Sequence, residues 1–422
     1  MRFGKLIFIL SLFLALTQAS AREDDEQFDD LLLKFAVFGP SDEIFIWWGH
    51  AALIVENTKD NFSYAYDWGI FSYPSDNFIK DFTKGQVQYK FTRGPNNMYD
   101  YIREDRDIII YTLNLDREAK KTILAYADNR ALPENRFYDY HEFRDNCSTG
   151  VRDIIDLGTG GQFKAAFGDI PGRLSYRQHT QRYTWFRPMS DWFLGFLMGQ
   201  NLDRSITLWD EMYLPVELAK NIVDFSYIDS SGKNRKLVSS AEILYVSKDR
   251  LPVLNKPLTT WPFFLTAGLF IMVLLFLIDN TRKRYPRLSR IIFNSIQFVF
   301  GLLLGVSGCV LLFGLLMDND YIQQNVNIWF VNPLLLIITP LSVFAAINKP
   351  VLIKCRDLLR FIWAYIFIAG NVTQLLGILP FFFQRNQSVC ALILPIAFAF
   401  SNIPEIARGL KSTLNRPSKT RA

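Results

Sequence analysis

The chain has 422 residues, half of them hydrophobic and only 21% charged, with 37 phenylalanines and a formal net charge of +5. This length and apolar share exclude a single water-soluble globule, and equally a collagenous, disordered or disulfide-stapled chain. The mild positive charge gathers beside apolar stretches, as a membrane partner requires, and no nucleic-acid partner is expected.

Residues 1–21 begin with Arg2 and Lys5, run through an apolar block from Leu6 to Leu16 and close on Ala19, Ser20 and Ala21. That order predicts a secretory signal peptide cleaved near residue 21, since the block is short for a membrane span. Residues 22–250 mix charge, turns and aromatics in globular proportion and predict one exported domain with its own core.

Within that domain Gly49-His50-Ala51-Ala52-Leu53-Ile54-Val55 reads as a strand with His50, Ala52 and Ile54 on one face. Phe62 to Trp68 reads as its hairpin partner across Thr58-Lys59-Asp60-Asn61. Further on, the cap-type residues Asp145 and Asn146 precede Val151, Ile154 and Ile155 at helical spacing, so Cys147 opens a helix that Gly158 can close. A helix start favours a thiolate, and its free N–H groups can hold a developing oxyanion.

Cys147 is the single cysteine of the exported domain; Cys309, Cys355 and Cys390 lie in or beside the later apolar stretches. Without a bridge partner in its domain it is a buried small residue, an intermolecular link or a nucleophile. A nucleophile needs a base, and three histidines are available. His50 on the hairpin is the preferred base, His141 six residues before Cys147 is the rival, and His179 reads as part of a polar loop. Asp67 or Tyr66 could hold the imidazole in one tautomer. No His-x-x-x-His or Cys-x-x-Cys pair announces a metal centre, and no cofactor is expected.

The aromatic run from Trp185 to Leu197, with Trp192 in it, is either a lipid-facing platform or ordinary core packing. Arg177 and Arg187 are candidates for a lipid phosphate, the alternative being solvated surface cations. The substrate-contacting set expected from the sequence is Tyr66, Asn146, Arg177 and Trp192.

Five apolar stretches follow, at 261–278, 291–317, 328–347, 359–383 and 389–403, and predict a five-helix transmembrane domain over residues 251–410. The first connecting loop holds Arg282, Lys283, Arg284, Arg287 and Arg290, the second only Asp318 and Asp320, and the third Lys349, Lys354 and Arg356. This alternation predicts the exported domain in the periplasm and the basic loops, with the tail at 411–422, in the cytoplasm. No row of intramembrane charges marks ion coupling, which disfavours transport.

Gly49-His50-Ala51-Ala52-Leu53 followed by Asp145-Asn146-Cys147-Ser148-Thr149 resembles the circularly permuted branch of the papain-like superfamily, which includes the NlpC-type peptidases and the lecithin:retinol acyltransferase group. More closely, Trp48-Gly49-His50, Tyr66-Asp67-Trp68-Gly69-Ile70-Phe71, Asn146-Cys147-Ser148, Ser175-Tyr176-Arg177 and Glu211-Met212-Tyr213-Leu214-Pro215 resemble the Lnb-type lipoprotein N-acyltransferases of Bacteroidota. The resemblance covers about residues 32 to 225. It implies an α+β permuted papain-like domain ahead of an all-α transmembrane bundle. It also implies transfer of an acyl chain from a membrane phospholipid to the N-terminal amine of a diacylated lipoprotein, with Cys147 as nucleophile and His50 as base. Ile70 departs from the pattern, where a smaller polar residue is expected after the Gly69 turn. Two other functions compete: a Cys-His peptidase or amidase of the cell wall, and a non-catalytic membrane-tethered assembly protein.

Overall fold

The computed structural model describes residues 28–71, 84, 88–347, 353–401 and 403; the expected signal peptide and cytoplasmic tail lie outside them. The described residues divide into two compact units, the first formed by 28–71, 88–176 and 205–253, the second by 84, 177–204, 254–347, 353–401 and 403. The segment 177–204, which the sequence assigns to the exported domain, thus clusters with the second unit.

In chain order the elements up to residue 245 are β1 (Leu31–Phe38), β2 (His50–Asn57), β3 (Phe62–Phe71), β4 (Gln88–Pro95), α1 (Met98–Arg103), β5 (Ile108–Leu113), α2 (Arg117–Ala131), β6 (Phe137–Asp139), α3 (Cys147–Gly158), α4 (Gln162–Phe167), α5 (Tyr176–Thr184), α6 (Pro188–Leu197), α7 (Leu208–Glu211), α8 (Pro215–Asp224), β7 (Ser226–Ile228), β8 (Asn234–Lys236) and β9 (Val238–Tyr245). Seven strands make one sheet in the order β6-β4-β3-β2-β1-β5-β9, each neighbouring pair antiparallel.

Strict alternation covers both faces of this sheet. Leu33, Phe35, Val37, Ala51, Leu53 and Val55 enter one core with Ile123 and Leu124 of α2 and Val151, Ile154 and Ile155 of α3. The intervening Ala36, Phe38, Ala52 and Ile54 enter a second, smaller core with Ile108, Ile110 and the α1 residues Met98 and Tyr101. The first unit is therefore an α+β domain. Its β2–β3 hairpin forms where the sequence predicts it, with Asn57 opposite Phe62. The Asn57 Oδ1 accepts from the N–H groups of Lys59 (2.9 Å) and Asp60 (3.0 Å), the side-chain-to-backbone bond that favours Asn in turns. Helix α3 also starts at Cys147, but its stop differs from expectation: the chain leaves through Gly160 and Gly161, at φ of +63° and +82°, after a last helical residue at Gly158.

The second unit continues with α9 (Trp261–Asn280), α10 (Pro286–Leu316), α11 (Ile338–Ala346), α12 (Ile353–Leu376) and α13 (Gln387–Phe400). Among the described residues, four segments are long and apolar enough to cross a membrane: Trp261–Lys283, Pro286–Leu316, Val326–Ala346 and Lys354–Leu376. The third is composite, two short 3-10 turns running into α11. The fifth expected span appears as the 14-residue α13. Its rise of about 21 Å falls short of a hydrocarbon core of about 30 Å. Trp363, Phe330, Ile338 and Phe400 are buried at the centre of this unit.

Candidate functional site

The site begins with how β2 starts. Gly49 has φ of +83°, and a Cβ there would lie 2.7 Å from the carbonyl oxygen of Phe38, so only glycine lets the chain turn into the strand at this point. His50 follows opposite Phe38 on β1, while Ala52 stands opposite Asp67 on β3. His50 and Asp67 are thereby diagonal neighbours on one face. Their side chains meet at 2.7 Å between Nε2 and Oδ1, with 16% and 19% of each exposed. Phe38 and Tyr101 stack near the imidazole, at centroid distances of 6.0 and 6.3 Å. Tyr66, one residue earlier on β3, faces the opposite core, where its hydroxyl donates to Asp128 at 2.5 Å. Asp67, not Tyr66, is the group on the imidazole, and Tyr66 has no surface to offer a substrate.

Cys147 is positioned by the cap of α3. The Asn146 Oδ1 accepts from the backbone N–H groups of Ser148 and Thr149, both at 2.9 Å, and Thr149 Oγ1 accepts from the Asn146 N–H at 2.7 Å. The Asn146 amide donates to the carbonyls of Glu142 (2.8 Å) and Tyr213 (3.0 Å). Asn146 is buried and engaged on every side, so it builds the site and does not contact substrate. The cap also takes the Ser148 and Thr149 donors expected for an oxyanion, leaving the Cys147 N–H outside it. One turn on, a Cβ on Gly150 would fall inside the Trp68 indole, so α3 lies one glycine-thickness from β3. Gly150→Ala is expected to cost about 1–3 kcal/mol as overpacking, read as a lowered midpoint of thermal unfolding.

His50 carries the electrostatic signature of the site. Burial by itself lowers its pKa, but the hydrogen-bonded Asp67 carboxylate and the nearby Cys147 side chain hold it well above the usual 6.5. The imidazole therefore lies between a carboxylate and a sulfur that both favour its protonated form. Around it, burial raises the phenols of Tyr101 and Tyr140. The Asp145 carboxyl is pushed up to about 6, mainly by burial.

Sequence reasoning missed Tyr101, Tyr138, Tyr140 and Arg106. Tyr138 accepts the Gly69 N–H at 2.7 Å and so ties β6 to β3 beside Asp67. Arg106, 2% exposed, donates from Nε to the Gly39 carbonyl (2.9 Å) and lies 4.8 Å over the Tyr101 ring. Its NH2 nitrogen is buried with no hydrogen-bond partner among the described residues. The Tyr138-Asp139-Tyr140 alternation just before the cysteine helix was the available signal for the tyrosines. Arg106 had none, because its place depends on β5 pairing with β1.

The other candidates lie elsewhere or serve the fold. His141 exchanges backbone bonds with Asp145, both at 3.0 Å, and its Nδ1 accepts from the Phe143 N–H at 3.2 Å, closing the turn that leads to Cys147. His179 sits in helix α5, fully buried with Nδ1 2.8 Å from an Arg182 nitrogen, and not in a polar loop. Arg177, 0% exposed, binds Asp203 through Nε at 2.9 Å and donates to the carbonyls of Gly195 (2.7 Å), Met198 (2.8 Å) and Gly199 (3.0 Å). These partners are internal, so Arg177 is a structural cation and not a receptor for lipid phosphate. Trp192 stacks on Phe196 at 5.7 Å, and its indole N–H donates to the Ser388 carbonyl at 3.1 Å. Its neighbours are those of the second unit's core, the packing alternative for the aromatic run, although Phe193 and Met189 of α6 stay exposed.

No curated protein and no solved structure matches the chain. A family model, the Lnb N-terminal periplasmic domain, matches residues 27–182, which include His50, Asp67 and Cys147. Residues 27–182 thus match the Lnb N-terminal periplasmic domain family, and four membrane-capable helices follow them among the described residues.

Proposed function

We propose that this protein is a membrane-anchored cysteine acyltransferase that moves a fatty acyl chain from a phospholipid, through a thioester on Cys147, to the N-terminal amine of a diacylglyceryl-cysteine lipoprotein. The observation that carries the reading is the His50 ring hydrogen-bonded to Asp67 and in electrostatic reach of Cys147, the first residue of a capped helix. A base strand preceding a nucleophile helix also supports a permuted papain-like arrangement, and the family supports lipoprotein chemistry.

In the first half-reaction the Cys147 sulfur attacks an ester carbonyl of the donor lipid. A C–S bond forms, the C–O bond to glycerol breaks, and His50 gives its proton to the leaving oxygen, releasing a lysophospholipid. The N–H of Cys147 is the donor available to the tetrahedral oxyanion. In the second, the lipoprotein amine attacks the thioester, a C–N bond replaces C–S, and His50 takes the amine proton as the thiolate is restored. With Nε2 on Asp67, Nδ1 is the ring atom that serves the sulfur. Anchoring favours transfer over hydrolysis because donor and acceptor are both lipid-borne and share the membrane with the enzyme. The positive loops support an inner-membrane protein with a periplasmic catalytic domain and a cytoplasmic C-terminus.

The test is incubation of the full-length protein with acyl-labelled phospholipid and a diacylated lipopeptide. The expected products are a hydroxylamine-sensitive acyl adduct on Cys147 and an N-acylated lipopeptide. Cleavage of cell-wall peptides without acyl transfer would replace this reading with the peptidase one.

A further inference from the structure

The cap of α3 limits what the helix end can offer an oxyanion. Asn146 takes the N–H groups of Ser148 and Thr149 on its Oδ1, both at 2.9 Å, and that of Gly150 on its carbonyl at 3.0 Å, which leaves the Cys147 N–H as the first turn's open donor among the described residues. A negative oxygen in a water-poor site is stabilised by fixed donors reaching it from more than one direction. A second donor is therefore to be sought among the side chains packed beside Cys147.

Tyr140 is built into the approach to that residue. It follows β6 directly, and its ring packs against the core that also receives Tyr138 and Cys147. Gly69 of β3, at φ of +78°, makes room for it: a Cβ there would stand 3.4 Å from the Tyr140 Cε2. The ring also stacks on Tyr89, with 4.1 Å between centroids. Gly69 lies two residues past Asp67, the carboxylate on His50, and its N–H is held by the Tyr138 hydroxyl at 2.7 Å. Beyond Tyr140 the His141–Asp145 backbone bonds, both 3.0 Å, close the turn that delivers Cys147. The ring is thus fixed against β3 near the His50–Asp67 pair and joined by a short closed turn to the start of α3. It is half-buried, and among the described residues no hydrogen bond engages its hydroxyl. The Cys147 side chain lies within electrostatic reach of the phenol, and burial holds its pKa well above the usual 10, so the O–H keeps its proton and remains a donor.

We propose that the Tyr140 hydroxyl is the second donor of the oxyanion site, acting together with the Cys147 N–H. As the Cys147 sulfur adds to the ester carbonyl, the C–S bond forms and the C=O π pair moves onto oxygen. That oxygen accepts from both donors and returns the pair when the C–O bond to glycerol breaks, while Tyr140 keeps its proton throughout. The inference rests on Cys147 being the acyl-accepting nucleophile of the proposed function.

The experiment uses the full-length protein in detergent and two reagents for Cys147. p-Nitrophenyl butyrate acylates the sulfur through a tetrahedral oxyanion, whereas iodoacetamide alkylates it by displacement, with no oxyanion. Tyr140→Phe keeps the ring and is expected to slow acylation about 10²- to 10³-fold while alkylation keeps the wild-type rate. Saturation with labelled phospholipid should place the loss in kcat and leave KM unchanged. Tyr89→Phe, which removes the hydroxyl of the stacking neighbour, should acylate as fast as wild type. Unchanged acylation in Tyr140→Phe would overturn the proposal. So would an equal loss in alkylation, which would assign the hydroxyl to the thiolate. If Tyr140→Phe behaved as expected with both reagents while no acyl chain reached a diacylated lipopeptide, the oxyanion site would stand and the lipoprotein reading would fall.

Discussion

Cys147→Ser is expected to abolish acyl transfer, with neither the thioester nor the N-acylated product detected, and His50→Ala to lower the rate by about a thousand-fold or more. The two changes remove different things. A serine hydroxyl beside the same ring stays protonated and attacks an ester slowly, whereas alanine at position 50 removes the proton carrier for both half-reactions. If His50 and Cys147 act as the proposed unit, the double variant should be no slower than Cys147→Ser alone. His141→Ala provides the contrast. Its ring accepts a backbone N–H of the turn before α3, so its loss should cost less than about ten-fold in rate, through a looser helix start. Single-turnover transfer from labelled phospholipid measures all of these, and the base would be reassigned to His141 if that variant were as slow as His50→Ala.

The pair was legible in the sequence because each member rests on a local pattern. An alternating strand fixes the face of His50, and a cap-type pair ahead of helical spacing fixes the start of α3, whatever the rest of the chain does. Residues whose partners are distant in sequence were read wrongly or not at all. Arg177 looked like a surface cation, yet Asp203 lies 26 positions on and three backbone carbonyls complete its cage. Asn146 was recognisable as a cap, but its second task, donating to the Tyr213 carbonyl 67 residues away, needs the fold. The sequence favours Asp67 as the third catalytic residue, with Tyr66 as the alternative and as a substrate contact, and the register puts Asp67 on the His50 face and Tyr66 against Asp128. The membrane helices show the same division. Apolar stretches located four membrane-capable helices, whereas the fifth stretch holds the shorter α13, a length that hydropathy alone does not register.

Asp67→Asn is expected to lower the transfer rate by about 10²- to 10⁴-fold and to give the loss of stability a pH dependence of known sign. Burial opposes a charged His50 ring, and the Asp67 carboxylate is the strongest of the influences that reverse it. The folded-state pKa of His50 therefore lies above the unfolded value of about 6.5, and the charged ring's contribution to stability is complete below that pH. That contribution fades as pH rises through the folded-state value. Removing the carboxylate while keeping its shape leaves burial opposed only by the sulfur, so the ring loses its proton at a lower pH. The gap in unfolding midpoint between wild type and Asp67→Asn should thus be widest at about pH 6 and narrow as the medium becomes alkaline. The limb of the rate profile due to His50 should shift toward acid. A gap that stays constant up to alkaline pH, together with an unmoved limb, would mean that Asp67 orients the ring without stabilising its charge.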